Sequence, residues 1–189
     1  MSVEKCTVYH EKQRWQMCAL HALNNVFQDG KAFQKQNLDE ICQSLAPSSR
    51  PNPHKSMLGL GNYDINVIMA ALQRKDCEAV WWDKRRNPNE LNLRNIIGFI
   101  VNTTSPIKVG YVNLPIKPKH WIALRQIDNV YYNLDSKLSK PVEIGNSDAF
   151  LDYLKEGVNL KTWQLILVVS QNVAEDRTWL ISKDVATQS

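Results

Sequence analysis

The sequence predicts an α+β domain in which a helical N-terminal part packs against an antiparallel sheet. Three observations point there. Apolar residues recur at helical spacing in the first part of the chain. Short β-branched and aromatic runs, bounded by turn residues, dominate the later part. A length of 189 residues suits one domain, 1–189, whose core needs no disulfide or metal staple.

From Cys18 to Phe27, Leu20, Leu23 and Phe27 fall on one helical face with Ala19, Ala22 and Val26 beside them, and Asp29-Gly30 is expected to stop the helix. Asn37 and Glu40 resemble a capping box, followed by the stripe Leu38, Ile41, Cys42 and Leu45, which makes Cys42 a core thiol. "APSSRPNPHKSMLGLGNYD" (Ala46 to Asp64) reads as a loop, long enough for a compact domain to mark a functional or moving segment. Asp64 caps a helix through Ile65, Ile68, Met69 and Leu72. Strands are expected at Ala79–Trp82, Gly98–Asn102, Trp121–Ile127, Val130–Leu134 and Leu165–Val169. A helix capped by Ser147, with Phe150, Leu151 and Leu154 inward, precedes the last strand. The core is expected to span about residues 9–170, and the polar tail after Ser170 to fray. With helices grouped before strands, the helices are expected on one side of the sheet.

Composition removes several function classes. A net charge of +4 falls short of the dense basic stripe of a nucleic-acid binder, and Lys84, Arg85 and Arg86 read as a solvated loop. No run of 18 apolar residues would span a membrane. "MSVEKCTVYH" lacks the apolar stretch of a secretion signal, so a cytoplasmic, or also nuclear, location with reduced cysteines is expected. The four cysteines form no C-x-x-C pair. Cys18 and His21 have C-x-x-H spacing, but zinc wants three or four protein ligands and no second cluster exists; no metal and no cofactor is expected, and His21 is given a packing role. His10 and His54 are expected at the surface.

The chemistry centres on "YHEKQRWQMCALHALNN". Cys18 opens a helix, where unpaired N–H groups and the positive end of the dipole favour an anion. A helix-start cysteine is also compatible with a small buried hydrophobe. "KHWIALRQIDNVYYNLDSKL" supplies the other half. Asp128-Asn129 suits a two-residue turn, and pairing Ile127 with Val130 sets Ile122 opposite Asp135, with His120 diagonal to Asp135 on the same face. Asn133 has the same parity but pairs with Leu124, further from His120. His120, expected at an exposed cleft edge, would take the thiol proton, and Asp135 would hold its tautomer and charge. Gln13, just upstream, offers an amide donor for an oxyanion, with the Cys18 backbone N–H as the second.

These two stretches, with "NPHKSMLGLGNYDINVIMAALQ" and "AVWWDKRR", resemble the Josephin family of cysteine deubiquitinases, its small stand-alone members above all, from about Tyr9 to Val169. The resemblance implies a papain-like cysteine protease (Josephin) fold. It implies Cys18 as nucleophile, His120 as general base, Asp135 as orienting group and Gln13 as oxyanion-hole residue. Many papain-like enzymes carry Asn where this chain has Asp135, and an acidic residue should hold an imidazolium more strongly. Ubiquitin and ubiquitinated proteins are the implied partners, the bond after ubiquitin's C-terminal glycine the implied target, and a monomer the expected state. Phe33 to Gly61 would correspond to a helical hairpin that gates the site, with Trp121 either walling the cleft or packing in the core. An adaptor that binds ubiquitin with little catalysis, and an amidohydrolase for a small amide, are the competing readings.

Overall fold

The computed structural model describes residues 7–56, 61–104, 108–109, 112–113, 119–159 and 163–182. Three helices come first: α1 (Cys18–Phe27), α2 (Lys35–Leu45) and α3 (Ile65–Gln73). Strands follow: β1 (Cys77–Trp81), β2 (Gly98–Thr104), the two-residue pair β3 (Lys108–Val109) and β4 (Val112–Asn113), β5 (Lys119–Ile127), β6 (Val130–Asn133) and β7 (Val142–Gly145). Helix α4 (Ser147–Asn159), strand β8 (Gln164–Ser170) and the short α5 (Gln171–Asp176) end the described chain. Six strands form one antiparallel sheet in the order β1-β8-β2-β5-β6-β7.

Alternation along each strand divides the core into two layers. Ile100, Trp121, Ala123, Ile166 and Val168 face α1, α2 and α3. Phe99, Val101, Ile122, Leu124, Leu165, Leu167 and Val169 face Phe150, Leu154 and Val158 of α4. Helices therefore cover both faces, not one. The near-continuous apolar runs "FIV" and "LILVV" are the pattern of strands buried on both sides.

Several element ends differ from expectation by one chemical step. Helix α1 stops at Gln28, whose left-handed backbone (φ 55°) lets its N–H reach the carbonyls of Asn24 and Asn25 before Gly30 is met. Helix α2 starts at Lys35, and Asn37 Oδ1 reaches back to the Gln34 N–H at 2.8 Å. Asp64 does cap α3, accepting from Asn66 N at 3.0 Å and Val67 N at 3.2 Å. At α4 the cap is Asn146, whose Oδ1 accepts from Ala149 N at 3.0 Å; Ser147 is already helical. The tail after Ser170 is docked through Ile181 instead of fraying: α5 forms, Leu180 bridges Leu91, the Ile181 N–H bonds the Glu90 carbonyl at 2.9 Å, and Trp179 packs edge-on against Trp82.

Helix α2 is the one helix among the described residues of Phe33 to Gly61, where a helical hairpin was expected; residues 57–60 lie outside them. The following turns are tied to α2, by Lys55 Nζ to Asp39 Oδ1 at 2.9 Å and Asn52 Nδ2 to the Cys42 carbonyl at 2.7 Å. Cys42 is fully buried, and burial pushes its thiol up to about 11, as an inert core residue requires. In the basic run, Arg85 pairs with Asp83 and Arg86 with Glu90.

Candidate active site

Helix α1 packs on β5, and Cys18, the first residue of the helix, lines one hollow with His120 near the start of the strand. The hairpin after β5 has the expected register, Ile127 with Val130 and Leu124 with Asn133. Asp128 (φ 48°) and Asn129 (φ 64°) are both left-handed, the geometry of a type I′ turn. Leu134 N–H still bonds the Ala123 carbonyl at 2.9 Å, so the ladder runs on toward Asp135.

His120 Nε2 lies 2.6 Å from Asp135 Oδ1. A carboxylate only accepts, so Nε2 donates. Cys18 lines the same hollow as His120 and helps raise the pKa of the ring; with Nε2 committed to Asp135, Nδ1 is the ring nitrogen left for the thiol. Burial disfavours charge on the imidazole, but the bonds to Asp135 and Cys18 outweigh it and raise the His120 pKa. Burial likewise opposes the Asp135 carboxylate; the bond from His120 and the Lys137 N–H at 2.9 Å outweigh it and lower its pKa. His120 is only 3% exposed and Cys18 5%, so the imidazole is an inner wall of the cleft and not the exposed edge expected.

A hollow of about 220 Å³ opens on these groups, lined by Gln13, Gln16, Cys18, Asn62, Lys119, His120 and Lys137. It abuts a larger hollow of about 470 Å³, sharing Asn62 and Lys119 with it, on whose wall Trp121 lies. Trp121 serves both expected roles: it is 4% exposed, donates Nε1–H to the Tyr63 carbonyl at 3.1 Å, and still faces the larger hollow. Gly61 pairs with Gln16, a lining residue of the smaller hollow. The Asn62 N–H bonds the Gln16 carbonyl at 2.7 Å, and at φ +109° a Cβ on Gly61 would sit 2.5 Å from that carbonyl. Only glycine fits there.

Gln13 borders the hollow. Its Nε2 donates to the Trp15 carbonyl at 3.0 Å, a bond that orients the amide, since the reversed amide would set two oxygens against each other. Its Oε1 is buried with no partner among the described residues, a cost of about 1–3 kcal/mol retained at this rim. Trp15 itself is left-handed (φ 53°) and 71% exposed. No side chain caps α1, and the N–H of Cys18, as the first helical residue, has no intrahelical carbonyl to bond. Two donors thus border the thiol.

Several polar residues around the site carry roles that the sequence reading assigned differently or not at all. His10, expected at the surface, is half-buried, and its Nε2 donates to the Asp135 carbonyl at 2.9 Å. His54 pairs with Asp64 at 2.8 Å. Asn133 Oδ1 accepts the Asp135 N–H at 2.9 Å, supporting the carboxylate instead of competing with it. Asn25 is fully buried: its Oδ1 accepts the Glu11 N–H at 2.7 Å and its Nδ2 donates to the Leu134 carbonyl at 2.8 Å, so one side chain joins the segments leading to Gln13 and Asp135. His21 does more than pack, bonding Glu11 at 2.6 Å and the Arg14 N–H at 3.1 Å. Two adjacent asparagines in the middle of an apolar helix were the available signal, because buried amides require partners. Among the described residues no cluster of His, Cys, Asp and Glu could hold a metal ion.

Fold and site together define an α+β domain that sets a helix-start thiol against an imidazole–carboxylate pair carried by a β-hairpin. Comparison with known proteins says which one. The Josephin family profile matches residues 13–170, and the chain belongs to the Josephin family. It is 51% identical over 174 residues to Josephin-2 of Homo sapiens, covering 92% of each chain. A Josephin-like protein of Drosophila melanogaster is 44% identical over 178 residues, 92% of this chain and 80% of that one. Ataxin-3 of Homo sapiens is 27% identical over 166 residues, which are 77% of this chain and 40% of the longer relative.

Proposed function

We propose that this protein is a thiol protease that hydrolyses the peptide or isopeptide bond after the C-terminal glycine of ubiquitin. The observation that carries the reading is Cys18 and His120 lining one hollow, with Asp135 bonded to the ring's other side, in a chain of the Josephin family.

In the proposed reaction the Cys18 proton passes to Nδ1 of His120, and Asp135 stabilises the resulting imidazolium. The thiolate attacks the carbonyl carbon of the terminal glycine. Negative charge moves to the carbonyl oxygen, where Gln13 Nε2–H and the Cys18 backbone N–H receive it. The C–N bond breaks as His120 returns its proton to the leaving amine, which departs neutral. A water then loses a proton to His120 and attacks the thioester; the C–S bond breaks, the thiolate takes back the proton from His120, and the carboxylic acid released ionises to a carboxylate. A small hollow beside the thiol suits a tail ending in glycine, and the adjoining larger one leaves room for residues before it.

A ubiquitin probe with a C-terminal electrophile tests this. It is expected to form one covalent adduct, mapped by mass spectrometry to Cys18 and not to Cys42 or Cys77, whose thiols burial raises. Binding without an adduct would make the protein an adaptor, and indifference to the probe would point to a small amide.

The assigned role of Asp135 has a signed pH consequence. Its carboxylate helps raise the His120 pKa. Asp135→Ala should therefore lower that pKa, moving the acidic limb of the kcat/KM profile to lower pH, because the neutral ring that accepts the thiol proton then persists further into acid. Profiles of both forms on a ubiquitin C-terminal fluorogenic amide would show it; an unmoved limb removes Asp135 from this role.

A further inference from the structure

We infer that His21 is a positioning residue that sets the Gln13 amide over the reaction centre through the Gln13–Arg14 peptide, an inference that rests on the protease reading above. His21 lies one helical turn beyond Cys18, so the helix that presents the thiol also carries this imidazole. The Arg14 N–H donates to His21 Nε2 at 3.1 Å, so Nε2 carries no proton, and the ring proton sits on Nδ1, directed at Glu11 Oε2 at 2.6 Å.

Glu11 holds that tautomer. Burial works against its charge, but donors from His21, Tyr9 and Asn24 outweigh burial and lower its pKa, leaving an acceptor-only group. Gln13 is thereby gripped on both sides: its own N–H bonds the Ser136 carbonyl at 2.7 Å, and the next N–H bonds His21. Between these anchors the chain makes the left-handed turn at Trp15 whose carbonyl orients Gln13 Nε2. Loss of the His21 acceptor leaves a half-buried N–H unpaired and frees that turn. The thiol–imidazole–carboxylate contacts, made by other atoms, stay in place.

The test compares two reactions of the full chain. Turnover of a ubiquitin C-terminal fluorogenic amide needs the oxyanion donors; alkylation of Cys18 by iodoacetamide, a displacement at saturated carbon, forms no oxyanion. His21→Leu is expected to lower kcat by about 10²-fold, as loss of one oxyanion donor does, with KM and the alkylation rate within about threefold of wild type. His21→Gln, whose Oε1 offers an acceptor near the lost Nε2, should regain about tenfold of that kcat. Where His21→Leu does not fold, Glu11→Gln serves: its amide sets N–H groups against one of the donors it faces, and kcat should fall about tenfold with alkylation unchanged. Unchanged kcat in these variants, or alkylation falling in step with kcat, overturns the inference. Wild-type protein that alkylates yet never turns over the substrate overturns the protease reading and this inference together, whereas wild-type turnover untouched in the variants overturns this inference alone.

Discussion

Cys18→Ala is expected to reduce hydrolysis of a ubiquitin C-terminal amide by roughly 10⁴–10⁶-fold, to the level of background, and to abolish covalent capture. Among the described residues no other thiol lines the hollow. Cys42 and Cys77 are buried thiols with raised pKa values. The substitution removes one sulfur from a helix start that already opens on the hollow, so Tm should change little and noncovalent ubiquitin binding should persist. Titration with unmodified ubiquitin, alongside the turnover assay, checks both. Appreciable residual turnover with Cys18→Ala would require a mechanism without a covalent intermediate.

His120→Ala is expected to lower kcat by about 10³-fold or more, since the ring serves as base in one half-reaction and acid in the other. Its burial adds a second expectation. Removing a 3%-exposed imidazole empties space between Cys18 and Asp135, so the variant should also be less stable, by about 1–3 kcal/mol. Asp135 keeps the Lys137 N–H as a partner, which limits that loss. Thermal unfolding measured with kcat separates the effects: a large kcat loss in a variant still folded at assay temperature identifies the proton carrier, and near-normal turnover removes His120 from the mechanism.

How much of this was legible in the sequence follows from which interactions are local. The β5–β6 hairpin was readable because Asp128-Asn129 accepts two left-handed residues in succession, and period-two alternation then carries the register to His120 and Asp135. Helix α1 was readable from its apolar spacing. Cap positions were off by one residue where two capping types stand side by side, as at Asn146-Ser147. The strap through Asn25 and the Glu11–His21 pair were not readable, since their partners lie in separate segments that meet only after folding. The burial of His120 was hidden for the same reason: neighbouring Lys119 marks the strand entry as exposed, and packing of α1 decides otherwise.

Strand β8 is the last strand among the described residues but lies second in the sheet, hydrogen-bonded on both sides by β1 and β2. During synthesis the earlier strands therefore wait, with a gap between β1 and β2, until residues near Ser170 leave the ribosome. A nascent chain holding the thiol, the imidazole and the carboxylate still lacks the plank that joins the two halves of its sheet. Competence should arrive late and all at once, and nonsense changes ahead of Gln164 should yield aggregation-prone fragments instead of weakly active ones.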